Sequence, residues 1–172
     1  MKKRRNIGFV STRFAGTDGV SLETMKWQRV FERRGYHCFF FAGEVEYPED
    51  ISYEVPEAHF MHPDIRAMEV ALFDTERRAP DISMQVHKLK EHLKLHLYRY
   101  CQKFDIDFLV VENALSLPMN IPLGLAITEL IAETGVQTIA HHHDFAWERP
   151  RFAVTAADDY LRAAFTRTLR AL

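Results

Sequence analysis

The chain has 172 residues, 47% hydrophobic and 27% charged, enough for one domain with a real core. Its 22 Lys and Arg against 24 Asp and Glu give a net charge of −2, so no basic surplus points to nucleic acid as a partner. The apolar run after the basic start MKKRR is too short for a secretory signal, and no stretch approaches the ~18 apolar residues that span a bilayer. The expectation is a cytoplasmic protein in which Cys38 and Cys101 are buried thiols rather than a disulfide.

Residues 6–11, NIGFVS, suit a buried first strand, and 12–19, TRFAGTDG, a glycine-containing loop. From Val20 the apolar residues Leu22, Met25, Val30 and Phe31 recur at helical spacing, and Gly35 is placed to stop that helix. Residues 36–43 form a second apolar run, which completes a βαβ unit with parallel strands. The stretch 44–64 is irregular and proline-bearing, with 51–55 as a short third strand, and 65–74 has a helical pattern. Pro80 starts a long helix to about Phe104, whose stripe is Ile82, Val86, Leu89, Leu93, Leu97 and Tyr100. A strand at 107–113, a helix at 119–135, a strand at 136–140 and a helix at 152–171 follow. Strands alternate with helices throughout. This predicts an α/β, Rossmann-like three-layer domain with a mainly parallel sheet.

Ligands of open parallel sheets bind beyond the carboxyl ends of the strands. Three loops should emerge there: TRFAGTDGVS after the first strand, ENALSLPMN after Val111 and HHHDFAWERPR after Ala140. In the first, Gly16 and Gly19 would let an anion or sugar approach the backbone at a helix amino end. The competing reading is a tight turn capped by Asp18 or Ser21. The loop is neither GxGxxG nor GxxxxGK[ST], which argues against a nicotinamide dehydrogenase and a nucleoside triphosphatase. In the second, Glu112 and Asn113 suit either a cleft or a solvated strand end. In the third, alternation on extended chain puts His141 and His143 on one face and turns His142 away. A metal site there needs another ligand, such as His59, His62 or Glu112. His92 and His96 have i,i+4 spacing but sit among Glu91, Lys94 and Arg99, which suits a solvated face. Asp105-Ile-Asp107 leads into a strand rather than out of one, so it reads as a polar pair and not as a metal-binding DxD.

Together, GTDGVSLE, ENALSLPMNIPLGLAI and TIAHHHDFAWERPRF resemble the amino-terminal domain of GT-B glycosyltransferases of the retaining family 4 (glycosyl transferase group 1), over nearly the whole chain. The resemblance implies half of a GT-B architecture: an acceptor-side domain facing a carboxy-terminal domain that binds a nucleoside-diphosphate sugar. It implies no metal and no cofactor, and transfer of a hexosyl group to a sugar, lipid or small-molecule hydroxyl. The loop Gly16, Thr17, Asp18, Gly19, Val20 and Ser21 would line the cleft, with Glu112, Asn113 and His142 nearby. His143 and Asp144 would lie against the transferred sugar, and Arg149 and Arg151 would meet a phosphate or carboxylate of the acceptor.

The departure is length. The family runs to about twice 172 residues, and no E-x7-E motif stands in a donor-binding context. The expectation is therefore a single domain, 1–172, without the donor-binding half and inactive alone. Its exposed cleft edge would offer a surface for homodimerisation. Two alternatives stay open: a stand-alone metal-dependent hydrolase using the 141–144 His/Asp cluster, and a non-catalytic Rossmann-like binding module. Phe145 and Trp147 are expected to brace the histidine loop against the final helix.

Overall fold

The computed structural model describes residues 5–165. Its sheet is built from β1 (Asn6–Val10), β2 (His37–Ala42), β3 (Ser52–Glu54), β4 (Phe108–Glu112) and β5 (Gln137–His141), in the order β3-β2-β1-β4-β5 with every pairing parallel. The helices are α1 (Gly19–Arg33), α2 (Pro63–Leu72), α3 (Pro80–Lys103), α4 (Ile121–Thr134) and α5 (Asp158–Ala164). This is the expected α/β Rossmann-like arrangement.

Strands β1 and β4 are near-continuous apolar runs because both faces of a parallel sheet are covered. On one face Ile7, Phe9, Phe40 and Val110 pack with Trp27 and Phe31 of α1. On the other, Val10, Phe41, Leu109 and Val111 pack with Leu93, Leu97 and Tyr100 of α3 and Leu123, Ala126 and Ile127 of α4. Tyr100 crosses the centre of the sheet fully buried, and its hydroxyl donates to the Phe39 carbonyl at 2.9 Å. A side chain at Gly8 would place its Cβ 2.8 Å from that hydroxyl, so the strand needs glycine there. Asn6 N donates to Asp107 Oδ2 at 2.7 Å, so Asp107 is a polar group at the strand start, as expected. Cys38 and Cys101 are free thiols, and burial pushes them up to about 12 and about 11 respectively. Among the described residues, no helix is long and apolar enough to cross a membrane.

The final helix differs from expectation. Pro150–Phe152 is a 3-10 turn, 153–157 is non-helical, and α5 spans only Asp158–Ala164; the predicted continuation beyond 165 lies outside the described residues. Tertiary hydrogen bonds overrule the helical pattern. Ala156 N donates to Leu72 O at 2.8 Å, and Asp74 N donates to Val154 O at 3.0 Å, so this segment runs along the end of α2. Arg78 then clamps α5 through both oxygens of Asp159, at 2.7 and 2.6 Å.

Helices α3 and α4 are tied by a charged ladder. Lys90 reaches Glu129 at 2.6 Å, Lys94 reaches Glu129 at 2.7 Å and Glu133 at 3.0 Å, and Tyr98 donates to Glu133 at 2.7 Å. Burial acts to raise the Glu129 carboxyl, but the bonds from Lys90 and Lys94 prevail and hold it below its ordinary 4.5. A carboxylate depressed on folding contributes stability above its unfolded value and loses it as pH falls through the folded one. The Glu129 part of the ladder is therefore expected to weaken below about pH 4.5, by about 1 kcal/mol or less given its exposure. Urea midpoints at pH 7 and pH 3.5 check this: Glu129→Gln should lower the first more than the second, and an equal drop at both would contradict it.

Candidate functional site

The carboxyl ends of β1, β4 and β5 open onto a cleft of about 380 Å³. Its lining includes Ser11, Thr12, Arg13, Asp18, Gly19 and Val20 from the first loop, Asn113, Leu117 and Met119 from the second, and His143, Asp144, Arg149 and Arg151 from the third. Phe60, from the chain between β3 and α2, closes the opposite side. The three loops singled out in the sequence thus meet at one place.

The first loop is more strongly self-satisfied than an open anion cradle. Asp18 caps α1, accepting from Ser21 N at 3.1 Å, and pairs with Arg13 at 2.7 Å. Burial acts to raise the Asp18 carboxyl, but Arg13 and Ser21 together hold it below its ordinary value. A carboxylate therefore already sits at the helix amino end, where a phosphate would otherwise bind. Ser21 is buried and donates to Ala15 O at 3.2 Å. Gly16, at φ 72°, donates its N–H to Glu46 at 2.8 Å, and neither it nor Thr17 lines the cleft.

The second loop turns at Asn113, whose φ of 58° is a left-handed conformation that asparagine tolerates better than most residues. Its N–H donates to His141 O at 2.9 Å, its carbonyl accepts from Ser116 N and Leu117 N at 3.0 Å each, and its Oδ1 accepts from His143 N at 2.7 Å. One residue thus fixes two of the cleft's loops. Replacing Asn113 with alanine is expected to cost about 2 kcal/mol, one hydrogen bond plus left-handed strain. Glycine loses the bond but not the conformation, so it should cost about 1 kcal/mol less than alanine despite its greater unfolded-state entropy. Equal urea midpoints for the two variants would show that the backbone is not strained here.

Glu112 is not a solvated strand end. It is 0% exposed, because β5 and the histidine loop cover it. Its Oε2 lies 2.8 Å from His141 Nδ1 and 3.0 Å from His143 Nε2, and among the described residues Oε1 has no hydrogen-bond partner. The expected alternation holds: the His141 and His143 rings sit 4.5 Å apart, while His142 meets Phe145 at 5.6 Å. Burial, then the neighbouring His141 and His143, hold the His142 imidazole below its ordinary value. His141 also stacks on Trp27 of α1 at 4.6 Å, a contact with no sequence signal because it joins residues 114 positions apart.

The remaining candidates separate. His59 faces Glu44 at 3.4 Å and His62 faces Asp64 at 4.0 Å, so neither joins the Glu112 cluster. His92 and His96 are half-buried rather than solvated: His92 faces Glu57 at 3.4 Å, and His96 Nδ1 is 3.1 Å from the Tyr53 hydroxyl. Asp144 pairs with Arg149 at 2.9 Å, and Arg151 lies 3.7 Å from Glu69. Phe145 and Trp147 stack on each other at 4.3 Å, with Trp147 46% exposed. Bracing toward α5 comes instead from Ala146 and Phe152, which share a cluster with Tyr160 and Leu161.

No family model matches the chain, and no solved structure matches it with significance. Two curated proteins do, both called mannosylglucosylglycerate synthase. The one from Petrotoga mobilis is 28% identical over 158 residues, covering 91% of this chain and 35% of the relative. The one from Thermotoga maritima is 31% identical over 149 residues, covering 83% of this chain and 32% of the relative. The chain is thus similar over most of its length to two mannosylglucosylglycerate synthases and spans about a third of the length of each.

Proposed function

We propose that this chain is the acceptor-side domain of a GT-B glycosyltransferase of the retaining family 4 type, which moves a hexosyl group from a nucleoside-diphosphate sugar to an acceptor hydroxyl. The observation that carries the reading is the meeting of the loops after β1, β4 and β5 at one cleft, in a chain similar to two glycoside-forming synthases. That similarity also favours glycosyl transfer over a stand-alone hydrolase or a non-catalytic module.

Within this reading His143 and Asp144 face the transferred sugar. Glu112 occupies His143 Nε2, so Nδ1 is the ring nitrogen left to accept a sugar hydroxyl. Arg149 holds Asp144 and, with Arg151, places two guanidinium groups on the cleft wall. The relatives' name describes a product that contains a glycerate unit. An acceptor bearing a carboxylate suits those two arginines, whose forked donors match carboxylate geometry. The leaving diphosphate would be stabilised by groups of a second domain, so the isolated chain is inactive.

Joining this chain to the part of the Petrotoga relative that it does not match tests the proposal. Transfer from nucleoside-diphosphate hexoses to glucosylglycerate is followed by mass spectrometry. Product from the fusion and none from the isolated chain is the expected result. Turnover by the isolated chain would overturn the half-site reading. If the fusion is inactive, ligand-observed NMR with the isolated chain still decides: absence of acceptor binding would sink the acceptor-side assignment.

A further inference from the structure

We infer that Glu112, His141 and His143 form a binding site for one divalent cation of the zinc class, pinning the ends of β4 and β5 beside the cleft. One ligand atom from each of the three residues lies within 4.8 Å of the other two. Sheet register creates the set: Glu112 pairs directly with His141 across β4 and β5, and the bond from His143 N to Asn113 Oδ1 returns the next same-face histidine to the same carboxylate. Trp27, stacked at 4.6 Å, restrains the His141 ring.

Two observations favour an ion over an ordinary polar cluster. First, Glu112 is 0% exposed and its Oε1 has no hydrogen-bond partner among the described residues, a costly arrangement for a carboxylate unless positive charge faces it. Second, His141 Nδ1 lies only 2.8 Å from Oε2 yet does not have hydrogen-bond geometry.

Two imidazole nitrogens and one carboxylate oxygen are the donor set of three-ligand zinc sites, which leave one position open. Bonds of about 2.1 Å in tetrahedral geometry separate ligand atoms by about 3.4 Å. The 2.8 and 3.0 Å separations here need to open by only a few tenths of an ångström. Magnesium and calcium prefer all-oxygen shells and do not suit two imidazoles. Binding would displace the proton from His143 Nε2 and bring Oε1 within reach of the ion or a water bound to it. This inference does not depend on the glycosyl-transfer reading.

The test uses untagged protein stripped with a chelator, dialysed and titrated with cobalt(II), then zinc(II). One equivalent of cobalt with the visible bands of a four-coordinate ion is expected, displaced by zinc, and zinc should raise Tm in a concentration-dependent way. His141→Ala and His143→Ala should weaken binding about 100-fold or more, since even outer-shell losses cost 10–100-fold. His92→Ala/His96→Ala, at the other histidine pair, should leave it unchanged. The inference is overturned by no stoichiometric cobalt uptake in the wild-type protein. Uptake that survives in His141→Ala/His143→Ala, with native circular dichroism, would equally overturn it.

Discussion

His143→Ala is expected to lower kcat for hexosyl transfer about 100-fold or more in the fused enzyme, the scale of losing one preorganised polar group at a reacting centre. His143 is held at both ends: Asn113 Oδ1 accepts from its backbone N–H at 2.7 Å, and Glu112 Oε2 meets its ring at 3.0 Å. Such a side chain gives its orientation to the reaction without further ordering cost. Its loss also leaves the buried Glu112 carboxylate one partner short, so Tm should fall as well. A kcat drop in protein that keeps native circular dichroism at the assay temperature, measured by product formation at saturating donor, is the signature. Wild-type turnover from the variant would remove His143 from the chemistry.

Gly43→Ala is expected to destabilise the fold by about 3 kcal/mol, at the upper end of overpacking effects. The residue follows β2, where residues 55–60, the strap between β3 and α2 that leads to the cleft, cross it. A Cβ at this position would meet His59 N at 2.0 Å and His59 Cα at 2.3 Å, both backbone atoms that no rotamer change can move. The strap cannot simply lift away. Asn120 grips it from α4, donating to Glu57 O at 2.9 Å and Ala58 O at 3.0 Å, while its Oδ1 caps that helix. At this chain length, 3 kcal/mol corresponds to a Tm fall of roughly 6–12 °C. The strap also carries Phe60 to the cleft, so the damage should extend to ligand binding. Gly16→Ala makes the contrast: none of the described residues lies within 4 Å of its added Cβ, so only the cost of φ 72° applies. A near-wild-type melt for Gly43→Ala would show that the strap has freedom the structure does not display.

Much of the site was legible because loops after parallel strands must leave the sheet on one edge. The alternation of His141 and His143, the Asp18 cap and the role of Asp107 followed from local geometry in the same way. Glu112 was harder. A carboxylate at the end of an apolar strand reads equally well as solvated, and only a covering strand and loop decide between the two. The helix expected from 152 begins only at Asp158 for a related reason: its periodicity is real, but residues 154 and 156 hydrogen-bond to Asp74 and Leu72 instead of along a helix. The Phe145–Trp147 pair satisfied itself by stacking, which left bracing to Ala146 and Phe152.

The sequence by itself determined the α/β class, the parallel sheet and the edge on which chemistry lies. These rest on periodicity and on the handed, short-range rules of chain connection. Tertiary structure alone decided that Glu112 is buried between two imidazoles, that Trp27 covers one of them, and that Asp144 pairs with Arg149. Each of these depends on strand register or on contacts between distant segments, and such contacts leave no periodic trace along the chain.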